Sequence, residues 1–254
     1  MKEYQTPKGT PMNTFLKFLL VVFILISITS CQAIINIQTI DGSGNVIEQS
    51  RPLSGVQKVT LATQGELTIL FGNEEKLVVS AEDNLLPYLT SEIRGGELEI
   101  ANLSTVNLHP TKPIQYILTV KSLAGVTATS LGNIHVPEVR CPNFTLTVSS
   151  SGNIDIAGLF ADRLNLTISS SGDITILTGE VSDQTITISS SGNYTALNVT
   201  SKRATVTISS SGNANIQVSE KIKAAISSSG NVNYAGKPVL DWSSSSSGKV
   251  IPVP

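Results

Sequence analysis

The sequence predicts an all-β fold: a parallel β-solenoid, or β-helix, of 20-residue coils with two strands per coil, capped by a less regular N-terminal β region. Three observations carry this reading. A Ser/Gly turn string returns at constant spacing. Apolar residues alternate on both sides of every copy. Charged residues make up only 14% and aromatics 5% of the 254 residues, the balance of polar content being Ser, Thr, Asn and Gly. That mix suits flat, repetitive sheet and suits neither a helical bundle nor an acidic disordered tail.

The string Ser149-Ser150-Ser151-Gly152-Asn153 recurs at Ser169–Asp173, Ser189–Asn193 and Ser209–Asn213, 20 residues apart each time, and at Ser227–Asn231 after 18. Ser130-Leu131-Gly132-Asn133 holds the same phase one coil earlier, and Ser245-Ser246-Ser247-Gly248-Lys249 is a degenerate last copy. Self-similarity at a fixed period is the signature of a stacked-repeat architecture. Before each turn stand Phe144, Leu146 and Val148, then Leu164, Leu166 and Ile168, then Ile186 and Ile188, then Val206 and Ile208, then Ile222 and Ile226. After each turn stand Ile154 and Ile156, Ile174 and Ile176, Ala214 and Ile216, Val232 and Tyr234. Period-2 alternation on both sides of a turn means two strands, each with one buried face. The same phase turns the second Ser and the Gly inward, where small size and the backbone freedom of Gly suit a tight corner.

An antiparallel meander fits less well. Hairpins favour Asn-Gly or Asp-Gly, whereas here Gly precedes Asn and every copy faces the same way. A coil that advances one strand spacing stacks like on like, so five or six coils make a rod of roughly 25 to 30 Å. The stacked turn residues Asn133, Asn153, Asp173, Asn193, Asn213 and Asn231 are expected to form a hydrogen-bonded ladder, with Asp173 as its one acid. The stretches Gly158–Arg163, Gly179–Asp183 and Asn198–Arg203 read as the solvent-facing loops of the coils.

The chain then divides as follows: a signal segment over 1–30, a lipid-anchored linker over 31–42, an N-terminal β and capping part over 43–122, regular coils over 123–249 and a tail over 250–254. Within the capping part, Leu67–Leu70, Leu77–Val79 and Leu98–Ile100 read as strands and Gly95-Gly96 as a turn. Asp83 reads as the N-cap of a short helix through Asn84 to Tyr88. A cap is required because a bare strand edge invites aggregation.

Lys2, Lys8 and Lys17 precede an apolar run from Phe18 to Ile28 that is too short for a comfortable membrane span. Met12 is a second candidate start. The run ends in Ile28-Thr29-Ser30-Cys31, which resembles the bacterial lipobox; the resemblance implies cleavage before Cys31 and lipid on its thiol and α-amine. An ordinary signal peptide with an incidental Cys is the competing reading. Several acyl chains give stable anchoring, so the expected partner is a membrane through the lipid. Gln32 rather than Asp after Cys31 favours the outer membrane or cell surface where the cell has one. With Cys31 lipidated, Cys141 has no disulfide partner, and it reads as a half-buried packing residue.

The turns also carry a family resemblance. Asp83-Asn84-Leu85-Leu86-Pro87-Tyr88, the strand Gly96-Glu97-Leu98-Glu99-Ile100 and the Ser-Gly-Asn-Ile turns from Gly132 onward resemble the head GIN domain family of auto-transporter adhesins, over roughly Ser54 to Tyr234. The resemblance implies a two-sheet β-helical fold with tight Ser/Gly corners, exported proteins or lipoproteins, and an adhesion role. It brings no catalytic residue.

No enzyme is expected. His109, read as sitting in a loop with Pro110, and His135 form no metal-ligand spacing with Cys, so neither metal nor cofactor is expected. No Gly-x-Ser-x-Gly elbow appears. Asp155 and Asp173 are the carboxylates a glycan-processing enzyme would need, but Asp155 reads as solvated and Asp173 as a turn acid. Net charge of −2 excludes a basic nucleic-acid footprint. The candidate binding face is the outer side of the strand before each turn: Thr127, Thr147, Thr167, Thr187 and Thr207 in one column, with Thr145, Asn165, Thr185 and Thr205 beside them. Thr is also simply a good strand former. As a face, the array suits glycan, another envelope component, ice or self-association. The competing function is a structural spacer or assembly unit of the envelope.

Overall fold

The computed structural model describes residues 37–253. Residues 1–30, read from the sequence as a signal segment, and Cys31 lie outside the described residues. The N-terminal part contains β1 (Gln38–Asp41), β2 (Val46–Pro52), β3 (Lys58–Ala62), β4 (Glu66–Phe71), β5 (Lys76–Glu82), β6 (Leu89–Arg94), β7 (Glu97–Asn102), β8 (Val106–His109) and β9 (Gln115–Val120). The repeats supply β10 (Gly125–Ala128), β11 (Asn133–Val148), β12 (Ile154–Ile168), β13 (Ile174–Ile176), β14 (Gly179–Ile188), β15 (Tyr194–Ile208), β16 (Ala214–Ile226), β17 (Val232–Ala235), β18 (Val239–Ser244) and β19 (Val250–Pro252). Among the described residues, seventeen of these strands join one continuous ladder, and β1 pairs with β8.

The repeats form a parallel solenoid in which each residue stacks on its counterpart one coil away. Val126, Leu146, Leu166, Ile186, Val206 and Ala224 share one register column before the turn. Ile134, Ile154, Ile174, Tyr194, Ala214 and Val232 share another after it. All twelve are at most 3% exposed. Two inward rows facing each other give a dry interior, and each fully buried Ile or Leu stabilises it by roughly 1.5–3 kcal/mol.

The serine corners hold each coil to the one before. Gly172 N–H donates to Ser150 O at 3.0 Å and Gly192 N–H to Ser170 O at 3.1 Å, and the pattern continues at Gly212 and Gly230. The corner glycines owe their place to this close approach and not to backbone freedom. A Cβ on Gly152, Gly172, Gly192 or Gly212 would lie 2.1–2.2 Å from the carbonyl oxygen of the glycine below. None of the four has a positive φ. Just outside the corner, Asn133 Oδ1 accepts from Asn153 N–H at 3.0 Å and from Asn153 Nδ2 at 3.2 Å. Asn193 Oδ1 likewise holds Asn213, and Asn213 Oδ1 holds Asn231. Asp173, which has no amide to donate, accepts from Asn193 N–H and Nδ2. Glu66 starts the ladder, accepting from Asn133 Nδ2 at 2.8 Å, and Lys249 N–H ends it on Asn231 Oδ1.

Several expectations need correction. Gly158–Arg163, Gly179–Asp183 and Asn198–Arg203 are not loops. The chain stays paired through this wider corner, and Leu159, Val181, Val199 and Ser201 turn inward. The shorter 18-residue step is absorbed there: the register between β15 and β16 slips at Ala196/Thr200 and again at Ser201/Arg203. Asp83 does not cap a helix. Among the described residues the single 3₁₀ turn is Leu86–Tyr88 with Pro87 at its start, and its N-cap Leu85 makes no side-chain bond. His109 ends strand β8 rather than lying in a loop. The segment read as linker ends in β1, and the segment read as tail contains β19.

The N-terminal part carries the same phase. β3 pairs in parallel with β10 and β4 with the start of β11, which sets Thr60 on Thr127 and Leu67 on Ile134. Thr63-Gln64-Gly65 is therefore one more corner, and Asn133 N–H donates to Gly65 O at 2.9 Å. Beyond it lie β7 on one sheet and β9 on the other. The antiparallel strands β6 on one side and β5 with β2 on the other then close this end.

Candidate functional site

The strands before each corner alternate an inward aliphatic with an outward Thr or Asn, so stacking makes columns of outward side chains. Thr127, Thr147, Thr167, Thr187 and Thr207 follow one another in register, and Thr60 extends the column one coil further. Thr145, Asn165, Thr185 and Thr205 form the adjoining column. Neighbours are about 4.8 Å apart between coils and about 6.6 Å apart along a strand. Asn165, Thr185, Thr205 and Thr207 are exposed, and Thr127, Thr145, Thr147, Thr167 and Thr187 half-buried by each other. The face ends at Lys223 and Ala225 on one side. At the other, Thr60 is 9% exposed and its hydroxyl donates to Glu97.

The two polar columns of the repeat differ in what their side chains do. The turn amides are engaged within the chain, each accepting from the next coil. Among the described residues, the nine side chains of the Thr/Asn face make no hydrogen bond within the protein, so their hydroxyls and amide are free for water or a partner. The ladder is thus structural and the face is presented outward.

A second polar column lies on the other sheet and is absent from the sequence reading. Asn233 Nδ2 donates to Asn215 Oδ1 at 2.8 Å, and Asn215 Nδ2 to Thr195 Oγ1 at 3.3 Å. Its signal was the outward position two residues past each turn Asn. His135 heads this column, 3.0 Å from Glu66 and 3.6 Å from Asp155. Asp155 thus stands beside His135, while Asp173 sits in the ladder. Cys141 is half-buried in a shallow cleft of about 400 Å3 at the wide corner. Burial, then the Asp162 carboxylate, push its thiol pKa up, which favours the protonated thiol over the thiolate. Arg140 lies 3.9 Å over the Phe160 ring beside it.

The closed end has its own polar clasp. Glu82 is fully buried, and its carboxylate accepts from Thr111 Oγ1, from Gly44 N–H at 2.6 Å and from Thr111 N–H at 2.9 Å. The Thr111 hydroxyl first, then the backbone N–H groups, hold the carboxyl below its ordinary range despite burial. Asp83 is lowered in the same way by Ser43, then Asn45. A depressed carboxylate contributes stability that is present above its unfolded pKa of about 4.3 and is lost as pH falls through the folded value. Acid is therefore expected to release the Gly42–Asn45 and Thr111–Lys112 segments before the coils. Glu82→Gln is expected to release them at neutral pH. Amide hydrogen exchange at Gly44 and Thr111 checks this; unchanged protection in the variant would refute it.

The family model of the "Putative auto-transporter adhesin, head GIN domain" matches residues 56–238. The chain belongs to this family of adhesin-like β-solenoids. Solved structures share the fold. A putative adhesin from Bacteroides fragilis aligns with TM-score 0.78 at 19% identity, over 84% of this chain and 100% of its own. A putative lipid binding protein from Parabacteroides distasonis aligns at 0.71 and 23% identity, over 85% and 100%. A putative adhesin from Parabacteroides merdae aligns at 0.68 and 20%, over 85% and 100%. No curated protein matches the chain.

Proposed function

We propose that this protein is a non-enzymatic adhesion module of the cell envelope, lipid-anchored through Cys31, that contacts glycan or another envelope component through its flat Thr/Asn face. The observation that carries the reading is the face itself: nine outward hydroxyl and amide side chains on a regular grid, none of them used to hold the fold. A repetitive polar polymer meets such a grid with many weak hydrogen bonds at once, and multivalency turns weak contacts into useful avidity. Family membership supports adhesion as the class of function. The Ile28–Cys31 lipobox supports anchoring and an envelope or outer-membrane address.

The test is a binding screen of the Gln38–Pro254 unit against glycans, envelope fractions and lipid vesicles, the last because one structural neighbour is described as a lipid binding protein. Beside it runs a variant with Thr167→Tyr and Thr187→Tyr. These positions are outward, so the melting temperature is expected to hold within about 3 °C, an effect of under about 1 kcal/mol. Loss of at least tenfold in avidity, about 1.4 kcal/mol, is expected for the variant. Failure of both proteins to bind would move the reading to a structural spacer of the envelope.

A further inference from the structure

The two ends of the solenoid are finished differently. At the closed end the outermost strands of the main ladder are β6 and β2, both antiparallel to their neighbours, while β1 pairs with β8 apart from that ladder. They carry Glu92 and Arg94, and Glu48, Arg51 and Pro52, which are the usual guards of a strand edge. At the other end, among the described residues, the outermost strands are β18 and β19. Edge β19 is blunted by Pro252: Val253 N–H donates inward to Tyr234 O, so position 252 faces outward and has no N–H to offer. Edge β18, Val239-Leu240-Asp241-Trp242-Ser243-Ser244, has one charge.

β18 also leaves the interior open. Leu240 and Trp242 continue the columns of Ile222 and Ala224, which are 0% and 3% exposed. Leu240 is 38% and Trp242 45% exposed, and Val239 beside them is 69%. Ser245 N–H donates inward to Ile226 O at 3.0 Å. By the alternation of a parallel ladder, the N–H and C=O groups of Leu240, Trp242 and Ser244 therefore point away from the stack.

We infer that β18 is a pairing edge for a second copy of this chain, which docks through its own β18, antiparallel, across a two-fold axis. The occupant follows from the interface already present. Every coil here buries its interior row on a similar row of the next, and among the described residues β18 offers such a row unpaired. Head-to-tail stacking would require the guarded β2 and β6 end and would grow without limit; two-fold pairing closes after two copies. The register follows from charge. Side chains opposite each other in an antiparallel pair share a face, so the axis passes through a residue, and the two registers that pair most of β18 put Asp241 or Trp242 there. Asp241 against its own copy puts like charges together, each opposed on its inner side by Lys221 at 3.3 Å but with nothing of opposite sign between the two carboxylates. Trp242 on the axis instead pairs the two indoles inside, sets Asp241 opposite the partner's Ser243, and uses the outward N–H and C=O of Trp242 in a hydrogen-bonded pair. A rotation about the sheet normal keeps outward faces outward, so the two Thr/Asn arrays join into one face of doubled length. The inference stands whether or not that face binds glycan.

One strand pair is small beside a standard interface, so a Kd on the order of 10 µM is expected. The Gln38–Pro254 unit has its own continuous core, and its mass is read by sedimentation equilibrium up to about 500 µM, well above that Kd. Ser243 is outward and exposed, so substitutions there leave the core alone. Ser243→Glu faces the partner's Asp241 twice per dimer and is expected to weaken association roughly tenfold; Ser243→Lys is expected to tighten it roughly tenfold. Trp242→Lys is expected to abolish it. A monomer at every concentration overturns the inference. So does a dimer on which Ser243→Glu and Ser243→Lys have the same effect, or one that survives Trp242→Lys.

Discussion

Gly192→Ala is expected to lower stability by about 3 kcal/mol, the upper part of the range for forcing extra volume into a packed site. One methyl group does this because of where it would land: 2.2 Å from Gly172 O, 2.7 Å from Ile168 Cγ2 and 2.8 Å from Ser170 O. Two of those atoms are backbone, and the backbone is fixed by Gly192 N–H on Ser170 O and Ser189 N–H on Ile168 O. Relief means separating two coils and losing those bonds. For a unit of this size the melting temperature should fall by roughly 10 °C. Gly158→Ala is the control. Its nearest contact is Glu138 Cγ at 3.2 Å, a flexible side chain that swings aside, so a cost under about 1 kcal/mol is expected. Thermal unfolding of the two variants side by side measures the difference. Equal losses would mean that coil-to-coil approach does not select glycine at the corner.

The glycines also mark how far the fold was legible. Corner phase, coil length and inward rows were readable because Ser-Gly-Asn returns with its aliphatic neighbours. The reason for each Gly was not, since tight turns and tight stacking select the same residue. The coil built from β3 and β4 was missed: Thr63-Gln64-Gly65-Glu66 shares only its Gly with the string, although Thr60, Leu61 and Leu67 hold the phase. The threading of β7 and β9 onto its far side has no local signal at all. Such pairing depends on which edge is free when the chain returns, and alternation is the same on either edge. The wide corner reads as loops in the sequence because Arg163, Asp183 and Arg203 collect there. They are in register, with Arg203 bonding Asp183 at 2.7 and 3.0 Å, a hydrogen-bonded pair that lowers the Asp183 pKa. The outward Thr columns were legible for the same reason as the core: alternation fixes both faces at once.

Tyr194→Phe should cost about 1–3 kcal/mol, although it removes a polar group from an apolar core. Tyr194 stands where other coils have Ile134, Ile154 and Ile174, and the small Ala214 above it makes room for the ring. Gln184 breaks the other column, between Leu164 and Ala204. The two meet inside: Tyr194 Oη donates to Gln184 Oε1 at 2.9 Å, and both residues are at most 2% exposed. Burial pushes the phenol pKa far up, so it stays a neutral donor. Gln184 Nε2 has no partner among the described residues, so the amide already bears one unmet bond. Losing the phenol leaves the amide with no hydrogen bond from Tyr194 either. Gln184→Leu restores the aliphatic column but strands the phenol, so it too should destabilise or gain little. The double variant Gln184→Leu with Tyr194→Phe removes both polar groups and should be as stable as the native protein or more so. A coupling energy of roughly 1–3 kcal/mol from the denaturation cycle is the expected signature. Additive single effects would mean that the hydrogen bond contributes nothing and that the two breaks in the columns are independent packing choices.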